Sequence, residues 1–147
     1  TTLTANTFNA ASSTLLSQNG TRMFWSTTTT DSIAIGEGAG NAFNDTGLFN
    51  TALGFQAGFD SGSTTDSDQL TAVGYLSAFQ NTGDSVTAQG YASAFQNTGN
   101  YVTASGYLSA FQNTGDNVTA SGYFSAYQNT GSNVTASGYW STYENSG

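Results

Sequence analysis

An all-β fold, a parallel β-solenoid of about seven coils, is predicted by three features of this 147-residue chain. The first is a period: from Thr71 onward the sequence repeats every sixteen residues without insertion, in blocks that open at Thr71, Thr87, Thr103, Thr119 and Thr135. The second is composition, because blocks rich in Thr, Ser, Tyr, Phe and Val, with Gly in each, favour extended backbone over helix. The third is size, since sixteen residues are too few for the helix pairs of longer repeats. A unit this small buries its apolar face only against its neighbours, which is the logic of stacked coils.

Each block reads as strand, bend, second strand and turn. Val86, Thr87, Ala88 and Gln89 alternate apolar and polar, which puts Val86 and Ala88 inside and Thr87 and Gln89 outside. Gln89 occupies the position held by Val73 and Ser105 in other blocks, and a site that accepts all three faces water. The bend falls near Gly90 and Tyr91. Gln-Asn-Thr-Gly, at 80–83 and again from Gln96, Gln112 and Gln128, supplies the turn, with Gly free to take positive φ and Asn able to bond its own backbone.

Stacked coils lie about 4.8 Å apart, so the repeat writes columns of equivalent residues along the axis. Asn81, Asn97, Asn113, Asn129 and Asn145 are placed to chain their amides from coil to coil, a structural ladder. Tyr75, Tyr91, Tyr107, Tyr123 and Tyr139 form one aromatic column, and Phe79, Phe95, Phe111, Tyr127 and Tyr143 a second. A further column, Leu76, Ala92, Leu108, Phe124 and Trp140, varies in volume and grows toward the C-terminus. The interior of so small a coil is nearly filled by Val, Ala and Gly. At least one aromatic column is therefore expected on the outside, covered by another chain or serving as a binding surface.

Residues 1–30 have a different texture and read as an N-terminal cap or joining segment ahead of a repeat domain spanning 31–147. Leu3, Leu15 and Leu16 precede the turn signal Asn19-Gly20, and Met23, Phe24 and Trp25 follow as an apolar cluster beside Arg22. An open first strand would pair with any similar edge, so this segment either covers the first coil or reaches into a neighbouring subunit. Ile33 and Thr51 open two longer coils, of eighteen and twenty residues, before the strict sixteens begin. The surplus of the second holds Asp60, Asp66 and Asp68 in a polar loop, which reads as solvated, with Ca²⁺ the one cofactor its hard oxygens could hold.

Composition excludes several chemistries. There is no Cys, His, Pro or Lys, and Arg22 is the single base. Thiol and His-dependent nucleophiles, Schiff-base lysines, His or Cys metal sites and Lys-Asn isopeptide crosslinks are therefore absent. With nine carboxylates and a net charge of −8, phosphate and nucleic-acid binding through basic residues is ruled out as well. There is no hydrophobic run of spanning length, no initiator Met and no basic signal segment, so the chain reads as processed or excerpted. Low charge and abundant Thr, Ser, Asn and Gly suit an extracellular fibrous protein. Asn-x-Ser/Thr sequons at Asn19, Asn44, Asn117 and Asn133 read first as turn chemistry.

Ser-Ile-Ala-Ile-Gly at 32–36 resembles the head repeat of trimeric autotransporter adhesins. Thr-Ala-Leu-Gly-Phe-Gln-Ala-Gly at 51–58 and Thr-Ala-Ser-Gly-Tyr-Trp-Ser-Thr at 135–142 resemble related repeats of bacterial surface proteins and phage tail fibres. In those proteins a segment like Gly20 to Trp25 often stands just upstream. The resemblance spans roughly 20–147, although the sixteen-residue blocks exceed the usual fourteen or so and carry Thr and Ser where the family has Val and Ile. It implies a left-handed parallel β-roll, a homotrimer about a shared axis, outer faces that meet a host surface, and a larger parent.

Three function classes follow. The first is a non-enzymatic structural or adhesive surface protein, a self-associating trimer or filament that contacts a surface or glycan, on a cell or as a phage tail-fibre segment. Tyr139, Trp140 and Tyr143 could then stack on sugars or simply pack. The second is an ice-binding solenoid, suggested by Thr103 with Ser105, Thr119 with Ser121 and Thr135 with Ser137, though Val73 and Gln89 interrupt the pattern. The third is a carboxylate glycosidase using Asp84 and Asp116, which lie two coils apart, about 9.6 Å by the coil spacing. Turn positions of a repeat are poor places to preorganise catalysis, so the first class is expected.

Overall fold

A computed structural model describes residues 14–18, 21–26, 31–41, 43, 48–61 and 69–146, and the nine strands among these described residues form one sheet in chain order. Strands β1 (Thr14–Gln18) and β2 (Thr21–Ser26) make an antiparallel hairpin, and β2 pairs antiparallel with β3 (Ile33–Ile35). From there every pairing is parallel: β4 (Thr51–Leu53), β5 (Thr71–Val73), β6 (Thr87–Gln89), β7 (Val102–Ser105), β8 (Val118–Ser121) and β9 (Thr135–Ser137). The result is an all-β parallel solenoid of about six turns, with the hairpin paired to the edge of its first strand.

The strand of each coil follows the expected alternation. Ala72, Ala88, Ala104, Ala120 and Ala136 pair in register and are buried, as are Val86, Val102 and Val118, while Gln89, Ser105, Ser121 and Ser137 are exposed. In the first coils this inner column begins with polar residues that close the wider turns through side-chain bonds. The Asn50 N–H donates to Ser32 Oγ at 3.0 Å, and the Leu70 N–H donates to Asn50 Oδ1 at 2.8 Å.

The second strand expected in each block is absent, and the stretch from Gly74 to Gln80 shows why. Gly74 has φ +135, and Leu76, Ala78 and Gln80 have φ of 53, 50 and 52, with the same signs recurring at Ala92, Ala94 and Gln96 and in each later coil. Alternating right- and left-handed residues turn the side chains outward and inward in pairs: Tyr75 and Leu76 out, Ser77 and Ala78 in, Phe79 and Gln80 out, Asn81 in. A strand would place Leu76 opposite Tyr75 and drive one of them into an interior already filled by Ala72, Val86 and their equivalents. The left-handed residues cost about 1–2 kcal/mol each. They are held because their N–H groups bond the adjacent coils, Leu76 to Phe55 O at 3.0 Å, Ala78 to Ser93 O at 2.8 Å and Gln80 to Phe59 O at 2.8 Å.

The interior is narrow throughout. At Gly99 an added Cβ would overlap the carbonyl of Gly115 in the next coil, so the backbones there touch with no side chain between them. Besides Val and Ala, the inside holds the serine column Ser77, Ser93, Ser109 and Ser125 and the asparagine column. Near the N-terminal end the Phe43 ring also lies inside, 8% exposed, in space left by Gly40 and Gly58, which stand where later coils carry Ala78 and Ala94.

Two substitutions check this architecture. Gly99→Ala forces adjacent coils apart and is expected to lower unfolding free energy by ~3 kcal/mol, the upper end for overpacking, in urea melts. Tyr101, 65% exposed at φ 56, occupies the left-handed position taken by Asn117 and Asn133 in later coils. Tyr101→Asn should stabilise by ~1 kcal/mol and raise Tm by about 3 °C; an unchanged or lower Tm would contradict the left-handed assignment.

Candidate functional site: three columns on one outer face

The paired turning of each coil lays three apolar columns side by side. Tyr75, Tyr91, Tyr107, Tyr123 and Tyr139, headed by Phe55, stack with ring centroids 4.9–5.2 Å apart and planes within 11° of parallel. Phe79, Phe95, Phe111, Tyr127 and Tyr143, headed by Phe59, stack at 5.0–5.2 Å and within 9°. Between them runs the floor column of Leu76, Ala92, Leu108, Phe124 and Trp140. Its place in the middle is fixed by Phe124, which touches Tyr123 at 4.6 Å on one side and Tyr127 at 5.0 Å on the other. Each stacked pair contributes about 0.5–1.5 kcal/mol beyond its buried area, so the columns tie the coils together as well as coating them.

The stacking direction decides what this face can bind. Because the rings stack along the solenoid axis, the faces of each inner ring are taken by the rings above and below. Ring edges and phenol hydroxyls are what remain for solvent, with Tyr75, Tyr91, Tyr107 and Tyr123 still 40–46% exposed. A sugar stacks on an open ring face, which the interior of these columns does not offer. A packed protein surface takes ring edges readily, since edge contacts are among the preferred aromatic geometries.

Amide ladders flank the face. Inside, Asn97 Nδ2 donates to Asn81 Oδ1 and to Gly99 O at 2.8 and 2.7 Å. Asn113, Asn129 and Asn145 continue the side-chain chain at 2.7–2.8 Å. Outside runs a glutamine ladder that the sequence analysis does not anticipate: Gln96, Gln112 and Gln128 each donate to the preceding Gln at 2.9–3.0 Å, and Gln80 heads the chain with a 3.4 Å bond to Asp60. The signal for it lies in the repeat, since Gln recurs at one block position four times, immediately before the laddered Asn. The column ends at Glu144, whose carboxyl has no N–H to pass on. Partial burial, then the Glu144 carboxylate that accepts its hydroxyl, raise the Tyr143 phenol above the ordinary tyrosine range.

Leu3, Asp66 and Asp68 fall outside the described residues. Leu15 and Leu16 sit in β1 and Trp25 in β2, while Met23 is 36% exposed and Phe24 half-buried. Among the described residues no group of three acids forms a metal site. Asp116 closes a turn, its Oδ1 accepting the Asn100 N–H at 2.7 Å, and Asn100 Oδ1 in turn accepts the Asp84 N–H at 2.9 Å. Thr103, Ser105, Thr119, Ser121, Thr135 and Ser137 form an exposed hydroxyl patch on the sheet. Toward the N-terminus its outer column becomes Gln89, Val73 and Leu53.

Comparison of the chain with protein-family models, with curated proteins and with solved structures finds no match.

The asparagine ladder carries a pH signature. Asn113→Asp replaces a donor of two buried bonds, to Asn97 Oδ1 and Gly115 O, with a carboxylate. Stability should fall by ~3 kcal/mol at neutral pH. Burial raises the folded-state pKa of the new acid above its unfolded value, so stability returns as pH falls below that raised value. Thermal melts between about pH 4 and pH 8 read this trend, and a pH-independent loss would contradict a dry ladder.

Proposed function

We propose that the chain is a non-enzymatic, extracellular structural protein that assembles with copies of itself through the three-column aromatic face. The observation that carries this is the edge-on presentation of a continuous apolar surface five coils long. Left bare, such a surface is an aggregation hazard, and proteins of this size seldom expose contiguous apolar area without a partner. The partner also has to match a ridge repeat of about 5 Å, and a second solenoid of the same rise does so at every coil without adjustment. The hydroxyl patch, on the sheet side of the coil, remains free to meet a surface or glycan. The same role fits a segment of a phage tail fibre.

Ice binding is the second reading, favoured by the exposure of Thr103, Ser105, Thr119, Ser121, Thr135 and Ser137 on a sheet surface. It ranks lower because Gln89, Val73 and Leu53 break the hydroxyl array within the same column.

The double variant Phe95→Ser, Phe111→Ser removes the centre of one ridge while leaving the hydroxyl patch intact. The native chain is expected to have a mass in light scattering that is a multiple of 15.2 kDa, and the variant to shift at least tenfold toward monomer, a loss of about 1.4 kcal/mol or more. Thermal unfolding of the diluted monomers separates loss of contact from loss of fold. A native chain that is monomeric at all concentrations would refute the proposal.

A further inference from the structure

Resting on the self-association reading, the shape of the face fixes the direction in which two copies meet. We infer that the aromatic face pairs with the same face of a second copy running antiparallel, about a two-fold axis that crosses the solenoids level with Leu108.

The floor column makes the face a wedge. Its low point is Ala92, 3% exposed beneath its neighbours, and from there the side chains grow through Leu108 and Phe124 to Trp140 in the last coil. The ridges beside it carry one ring of similar size at every level, from Tyr75 to Tyr139 and from Phe79 to Tyr143, so the taper belongs to the floor. Two wedges lie flush only when reversed. An antiparallel pair centred on Leu108 sets Trp140 level with Leu76, Phe124 level with Ala92 and Leu108 level with Leu108, which makes the summed side-chain volume more even from coil to coil than pairing like with like.

A parallel arrangement keeps equal coils together. It sets Trp140 on Trp140 and Ala92 on Ala92, so contact at one end props the copies apart and leaves a void at the Ala92 level. A trimer about a shared axis has the same defect, because cyclic symmetry also holds every copy at one level. The wedge therefore departs from the trimer that the adhesin-head resemblance implies.

Hydrogen bonding favours the same direction. A two-fold axis lying across the face puts the tyrosine ridge against its own counterpart and the phenylalanine ridge against its own. The phenol hydroxyls then meet one another, and a buried Tyr hydroxyl needs such a partner. A two-fold axis along the solenoids would instead set the phenol row against the edges of Phe79, Phe95 and Phe111, which offer no acceptor. At the rim the antiparallel pair brings the Glu144 carboxylate level with the Gln80 amide.

The chain has no cysteine, so introduced thiols report contacts without background. Three variants are made separately: Ala92→Cys, Phe124→Cys and Leu108→Cys. In the antiparallel pair the levels of residues 92 and 124 coincide, whereas each is about 9.6 Å from its own counterpart along the axis, beyond the reach of a disulfide at about 7 Å between Cα atoms. Under mild oxidation Leu108→Cys should crosslink to itself. An equimolar mixture of Ala92→Cys and Phe124→Cys should give about tenfold more crosslinked dimer than either variant alone, mass spectrometry identifying the mixed species. Crosslinking of Ala92→Cys or Phe124→Cys to itself, without enrichment in the mixture, would overturn the antiparallel pairing and leave self-association standing. An unoxidised mass above that of the monomer, with no crosslink in any variant, would place the contact on another face and overturn the inference. A monomeric mass with no crosslinks would remove the self-association reading and this inference together.

Discussion

The interior of this solenoid is too narrow for its own side chains, and most of the structure answers that constraint. At the glycine column the coils touch backbone to backbone, Gly99 against the carbonyl of Gly115, and in the sixteen-residue coils the inside admits Ala, Val, Ser and Asn, with Leu70 and Phe43 filling the wider coils before them. Every Tyr, Phe and Trp from Phe55 onward has to leave. A strand cannot expel both Tyr75 and Leu76, because its side chains alternate. The chain instead alternates the handedness of its backbone, which expels residues in pairs and admits Ser77 and Ala78 in the space between. Each left-handed residue is unfavourable alone and is retained because its N–H completes a bond to the coil above or below.

That solution has a consequence on the outside. Residues turned out in pairs fall on one face, so three columns that a strand would divide between inside and outside become contiguous. Stacking along the axis then uses up the ring faces and leaves edges. Cohesion between coils and readiness to pack against a neighbour thus come from the same rings. The polar ladders work the same way, with amide donors passed from coil to coil at Asn81, Asn97 and Asn113 inside and at Gln80, Gln96 and Gln112 outside.

Much of this is legible in the sequence. Val86, Thr87, Ala88 and Gln89 disclose the strand and its inward face by alternation, and the spacing of Asn81, Asn97 and Asn113 discloses the buried ladder. The course of Gly74 to Gln80 is not legible, because no local signal marks Leu76 or Ala78 for positive φ; what selects it is the volume of the closed coil, a non-local quantity. Phe43 is a middle case. Its place inside can be inferred from Gly40 and Gly58, which replace the Ala of later coils and so announce that something larger fills that space.

Backbone φ at Leu108, Ala110 and Gln112 tests the account most directly, through NMR scalar couplings and intraresidue HN–Hα NOEs. Positive φ at all three, with negative φ at Tyr107, Ser109 and Phe111, is the predicted result, and it carries the paired expulsion of side chains and the aromatic face with it. Extended φ throughout would contradict it: each coil would then hold a second strand, Leu108 would lie on the opposite side from Tyr107, and the three-column face would not exist.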